Sequence, residues 1–175
     1  MNIALHSRCR ILLTILVIAG SICFPGSVQA GQEVPLNLQA AIFKKVFSMN
    51  AGLGGSPAVA IVHAPGDDAE LAQAIKEFAG AGINATAVPM AGAAEKIDGF
   101  KVAYLTSGSG SFAATCAAKG KLSICGDSDL VRAGKATVGI GLSGGKPKIL
   151  LKKSRVKSEG QEFNASLLSL AEVIE

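Results

Sequence analysis

Tryptophan is absent from the 175 residues, and histidine occurs only as His6 and His63. After residue 30, His63 is therefore the one imidazole. It stands at the end of an apolar strand pattern, with no motif that sets a nucleophile or a second ligand beside it. His63 reads as structural, and the chain reads as a protein without a catalytic set, not an enzyme. Cys116, Cys125 and His63 would need a fourth metal ligand that the pattern does not supply, so no metal and no cofactor is assigned. The lysine of a P-loop and the G-x-G-x-x-G spacing of a dinucleotide fingerprint are both missing. Internal repeats and low-complexity segments are absent too. The formal charge is only +4, and Arg8 and Arg10 account for two units of it, which does not point to nucleic acid. No clean apolar run reaches the ~20 residues of a bilayer span, because the run at 11–24 is broken by Thr14, Gly20 and Ser21.

What is present begins with an export pattern. Arg8 and Arg10 precede the apolar run, and Pro25, Gly26, Ser27 and Ala30 follow it as small residues suited to a signal peptidase. Residues 1–30 are expected to be a cleavable signal peptide, with residues 31–175 forming a single domain in the periplasm, long enough for a core of its own. Cys9 and Cys23 leave with the signal. Cys116 and Cys125 remain in an oxidising compartment and are expected to form a disulfide across a short helix-to-strand loop, a crosslink contributing about 2 to 3 kcal/mol.

Apolar spacing predicts a helix over 36–49 with Leu38, Ile42, Val46 and Met49 on its inner face and Phe43 and Phe47 alongside. A buried strand at 58–62 follows the glycine-rich break at 50–57. A helix opens at Asp67 and Asp68 and runs to Phe78, with Leu71, Ile75 and Phe78 inward. Short strands are expected at 84–88, 102–105 and 122–125, helical turns at 91–96 and 127–132, and a helix from the 106–111 loop to Ala118. Strands at 136–142 and 146–152 make a hairpin around Ser143, Gly144 and Gly145. A closing helix over 163–174 carries Phe163, Leu167, Leu170 and Ile174, with a weak capping-box spacing at 158–161 upstream. The alternation implies a three-layer α/β fold. Its sheet is mainly parallel and flanked by helices, with an antiparallel C-terminal hairpin and a closing helix.

Two places could bind something. The loop Ser107, Gly108, Ser109, Gly110 and Ser111 lies between a strand and a helix, where backbone N–H groups could hold a small anion. The plainer reading is that its serines cap the helix. Gly139 and Gly141 alternate with Val138, Ile140 and Leu142, leaving one strand face bare, so something approaches closely. That is either a helix of the same chain or a partner. Lys146, Lys148, Lys152, Lys153, Arg155 and Lys157 form a basic stretch just after it, read as a solvated face or a surface for acidic groups.

The helix with Leu38, Ala41, Phe43 and Phe47, the segment Ser123-Ile124-Cys125-Gly126-Asp127, the glycine-bearing hairpin, and the closing Ser166-Leu167-Leu168-Ser169-Leu170-Ala171 together resemble the YfiR family. The resemblance spans residues 31–175. It implies a periplasmic protein that represses an inner-membrane diguanylate cyclase by binding its periplasmic sensor region, and so controls cyclic-di-GMP and biofilm formation. A homodimer is compatible with it. Relatives in this family usually carry an aromatic stretch with Trp-Pro after the first helix, where this chain has Met49-Asn50-Ala51-Gly52. The alternative is a periplasmic small-ligand-binding protein serving a sensor kinase or an outer-membrane receptor.

Overall fold

The computed structural model describes residues 34–175, so the expected signal at 1–30 lies outside the described residues. Four short apolar runs form parallel strands: β1 (Val59–His63), β2 (Ala85–Pro89), β3 (Val102–Leu105) and β4 (Leu122–Cys125). β3 and β4 are buried along their whole length and β1 over its first four residues, as strands covered on both faces must be. β2 shows mostly exposed residues and ends at Pro89, which suits the edge it occupies. β5 (Val138–Ser143) continues in parallel beside β4, and β6 (Lys146–Lys152) returns antiparallel. The connecting Gly144 and Gly145 both have positive φ, the geometry a two-residue type I′ hairpin demands. With β7 (Ala171–Ile174), the seven strands lie in the order β2-β1-β3-β4-β5-β6-β7. This is the expected α/β architecture, with one antiparallel pair in a mostly parallel sheet.

Helices cover both faces. On one side α1 (Leu36–Ser48) and α2 (Asp68–Gly80) pack on Val59, Ile61, Tyr104 and Ile124, joined by Leu167 of α7 (Ala165–Leu170). Phe43, Phe78 and Tyr104 meet edge-to-face there, with centroids 5.1 to 6.4 Å apart. On the other side α3 (Ala93–Lys96), α4 (Ala113–Ala118) and α5 (Ser128–Arg132) pack on Ala60, Val62, Ala103, Leu105 and Leu150.

Several expectations change. In α1 the core stripe is Ala40, Phe43, Val46 and Phe47, while Leu38 is 42% exposed. Turning the two phenylalanines inward removes more apolar area from water than turning Leu38 inward would, and Ile42 and Met49 pack at the margin of the same core. In α2, Ala74 and Phe78 are buried and Ile75 faces outward. The closing helix ends at Leu170 rather than running to Ile174, and the last residues form β7 beside β6. An edge left by β6 would expose a row of backbone groups, and β-branched Val173 and Ile174 favour the extended form that pairs with it. The basic stretch contributes α6 (Lys153–Ser158). Ser158 caps nothing downstream: its hydroxyl donates back to Arg155 O, and Asn164 caps α7 by accepting from Leu167 N–H at 2.9 Å.

The expected Cys116–Cys125 disulfide is not formed; both residues are free, buried thiols. Cys116 lies near the start of β4, where its carbonyl accepts from Lys121 N–H, whereas Cys125 ends that strand. Burial pushes the Cys116 thiol up to about 12 and the Cys125 thiol higher still, so both stay protonated.

α6 is pinned to the sheet by one acid. Glu159 is 1% exposed and accepts from Ser123 N–H at 3.0 Å, Ser123 Oγ at 2.6 Å, Thr137 Oγ1 at 2.5 Å and Arg155 Nη2 at 2.6 Å. Burial pushes its carboxyl up, while four donors converge on it as they would on the ionised form.

Candidate functional site

In the strand order, β1 is flanked by β2 on one side and β3 on the other. Successive connections therefore diverge from the carboxyl ends of β1 and β3, and α/β sheets open a crevice at such a reversal. Here the crevice holds a cavity of about 320 Å³, lined by Leu36 and Gln39 of α1, Ala69, Glu70 and Gln73 of α2, and Tyr104, Ser107, Gly126 and Asp127 at the strand ends. That volume is at the lower end of the range for small-molecule sites.

The loops around it are tied together by carboxylates. Asp67 sits just before α2, but its Oδ2 reaches across to β3, accepting from Thr106 Oγ1 at 2.5 Å and from the N–H groups of Ala64 at 3.1 Å and Gly108 at 3.2 Å. The Thr106 hydroxyl above all holds the Asp67 carboxyl below its usual range. Glu70, one turn further along α2, accepts at Oε2 from both the N–H and the hydroxyl of Ser107, each at 2.9 Å. Its Oε1 accepts from the Tyr104 hydroxyl at 3.3 Å. Burial pushes the Tyr104 phenol far above its ordinary value, so it remains a hydroxyl. Asp127 enters from the end of β4, using Oδ1 to accept from Asp129 N–H at 2.7 Å and so cap α5.

Two features sit at the floor. Gly126 has no space for a side chain, since a Cβ there would lie 2.8 Å from Gln39 Oε1 and 2.9 Å from the Tyr104 hydroxyl. Gln39 is 3% exposed; its Nε2 donates to Val34 O at 2.6 Å, while its Oε1 has no donor among the described residues.

The sequence-level candidates fall out unevenly. Ser107 lines the crevice. Gly108 donates its N–H to Asp67, Ser109 is buried and donates to Val62 O at 2.8 Å, Gly110 packs on Leu130 and Lys135, and Ser111 is exposed away from the lining. The segment is a 3-10 turn, Ser107–Phe112, that leads into α4, and its first two N–H groups already serve Glu70 and Asp67. It is therefore not the anion cradle its composition suggested. Gly139 and Gly141 are not a partner face either. A Cβ on Gly139 would fall 2.5 Å from Val131 Cγ2 of α5, and one on Gly141 would fall 3.1 Å from Leu150 Cδ1. The close neighbours are α5, against Gly139, and β6 with Ser128 of α5, against Gly141, all in the same chain. His63 lies outside the cavity lining, and among the described residues no group of three metal-binding side chains comes together.

Gln39, Glu70, Gln73, Tyr104 and Asp127 were not singled out from sequence. A usable signal existed: Ser107 and Asp127 directly follow strands of a parallel sheet, where such sites form. Gln39 is also a polar residue on the buried face of an apolar helix.

No family model and no curated protein sequence matches the chain. Three solved structures are similar in fold. A substrate-binding protein with adhesive properties from Clostridium difficile, CD0873 in its ligand-free, open form, gives a TM-score of 0.60 at 13% identity. A conserved domain protein from Vibrio cholerae gives 0.58 at 13%, and the ABC domain in complex with L-Trp from Streptococcus pneumonia gives 0.57 at 10%. Each match covers 81% of this chain and 60% of the other. The chain thus shares an α/β fold with proteins of which two are described by what they bind, while spanning 60% of their length.

Proposed function

We propose that this chain is a ligand-binding protein that holds a small polar molecule in the crevice between β1, β3 and β4. The observation that carries the reading is convergence: polar groups from α1, α2 and the ends of β3 and β4 surround one cavity at the strand-order reversal. The fold's likeness to a substrate-binding protein and to a domain in complex with L-Trp supports it. The export pattern at 1–30 would place the protein in the periplasm, where it would deliver ligand occupancy to a sensor kinase or an outer-membrane receptor rather than turn a substrate over. Repression of a membrane diguanylate cyclase rests on the sequence resemblance alone, and it would need a surface other than the β5 face that α5 covers.

Thermal-shift screening of small polar metabolites tests the reading. A ligand at a hundred times its Kd should stabilise the protein by about 2.7 kcal/mol. Replacing Gly126 with alanine should remove that gain by filling the floor. Stabilisation that survives Gly126→Ala unchanged would move the site elsewhere.

A further inference from the structure

We infer that the crevice selects ligands carrying an ammonium group, a class that deepens the binding reading above and rests on it. Among the described residues lining the cavity, two are carboxylates, Glu70 and Asp127, and none is a lysine, arginine or histidine. Asp67, outside the lining, accepts from Gly108 N–H in the loop that carries Ser107. The N–H groups that a loop after a parallel strand would offer an anion, those of Ser107 and Gly108, already donate to Glu70 and Asp67. A carboxylate or phosphate entering here would meet like charge and occupied donors.

Gln39 is the independent observation. The residue is 97% buried, by its 3% exposure, and its amide is held by the bond from Nε2 to Val34 O, which leaves Oε1 as a buried acceptor with no donor among the described residues at the cavity floor. Buried acceptors are almost always satisfied, so an orphan beside an opening marks the place of a missing donor. The other open acceptor capacity in the lining has the same sign. Glu70 Oε1 receives only the 3.3 Å contact from Tyr104, and Asp127 uses one oxygen as a helix cap. An ammonium group brings three donors and no acceptor, which matches acceptors supplied by α1, α2 and the end of β4. The geometry also disfavours a divalent cation, since among the described residues no trio of metal-binding side chains gathers. At about 320 Å³, the cavity suits a compact amine such as a short diamine or an amino alcohol.

Amide chemical shifts of the purified protein, followed at low ionic strength, test this with probes of matched length. Putrescine and ethanolamine are the ammonium probes; succinate, 1,4-butanediol and Mg²⁺ are the anionic, neutral and metal probes. The expected result is saturable movement of the Ser107, Gly126 and Asp127 amides by an ammonium probe alone. Binding should weaken by about tenfold or more in Glu70→Gln, whose own amide spectrum reports that it is folded. Gln39→Leu, which removes the orphan acceptor without touching charge, should weaken the same titration. Saturable movement of these amides by succinate, butanediol or Mg²⁺ would overturn the ammonium assignment while leaving the crevice a binding site. Equal affinity in wild type and Glu70→Gln would do the same. If neither ammonium probe nor any of the others moves these amides, the assignment and the binding reading fall together.

Discussion

Two acidic regions of this molecule are built in opposite ways. Behind β4 and β5, Glu159 is sealed from solvent and saturated: four donors converge on it, one of them the Arg155 guanidinium, itself 14% exposed. At the carboxyl ends of β1, β3 and β4, the hydrogen bonds that Asp67, Glu70 and Asp127 accept among the described residues come from neutral donors, and Gln39 Oε1 has no donor among them. The first arrangement satisfies the Glu159 carboxylate from the protein's own donors, with only Arg155 Nε left unpartnered in it among the described residues, so its return is stability. The second leaves an acceptor open beside a cavity, and on the proposed binding reading that is how a site differs from a strut.

The largest effect should come from breaking the sealed region. Glu159→Gln removes the charge facing Arg155 and should cost about 3 kcal/mol in urea unfolding at neutral pH, because a largely shielded cation loses its partner. Gly139→Ala should cost about 1 to 3 kcal/mol, since the added Cβ would meet Val131 of α5 at 2.5 Å. Val131→Ala placed on top of it should recover part of that loss. A double-mutant cycle on urea midpoints measures the coupling, and a null coupling would mean that α5 does not cover β5 as described.

The crevice acids should respond to pH more than to mutation. Because the Thr106 hydroxyl holds the Asp67 carboxyl low, the folded state releases that proton more readily than the unfolded state. Its contribution is therefore present above the unfolded value near 4 and is lost as pH falls through the folded value. Asp67→Asn should flatten that acid limb in a series of unfolding curves across pH. The smallest effect is expected at Glu70. Glu70→Gln leaves hydrogen bonding to Ser107 available and removes one of the two carboxylates lining the cavity, so stability should stay within about 0.5 kcal/mol of wild type. A loss there as large as that at Glu159 would erase the contrast between strut and site.

Strand positions were legible because each is a short apolar run bounded by glycine, proline or charge. The stretch 102–105 needed no tertiary information to be read as a buried strand. The hairpin was equally legible, since Gly144 and Gly145 supply the positive φ that its turn requires. The face of α1 was not, because two overlapping stripes both fit helical spacing, and only packing against Tyr104 and Phe78 chose the one with Phe43. The end of the chain was misread for a related reason. Ala171–Ile174 has apolar spacing that a helix would accept, and the vacant edge of β6 decided for a strand. The candidate site was the least legible, since Gln39, Glu70, Tyr104 and Asp127 lie far apart in the chain.

The sequence by itself determined the layered α/β class and the position of almost every strand and turn, because those depend on local periodicity and on what glycine and proline permit. Tertiary structure alone decided what the carboxylates do. An acid's role depends on which donors the fold brings within about 3 Å and on whether water reaches it. Glu159 and Glu70 look alike in the chain, yet one closes a buried ion pair and the other lines an opening.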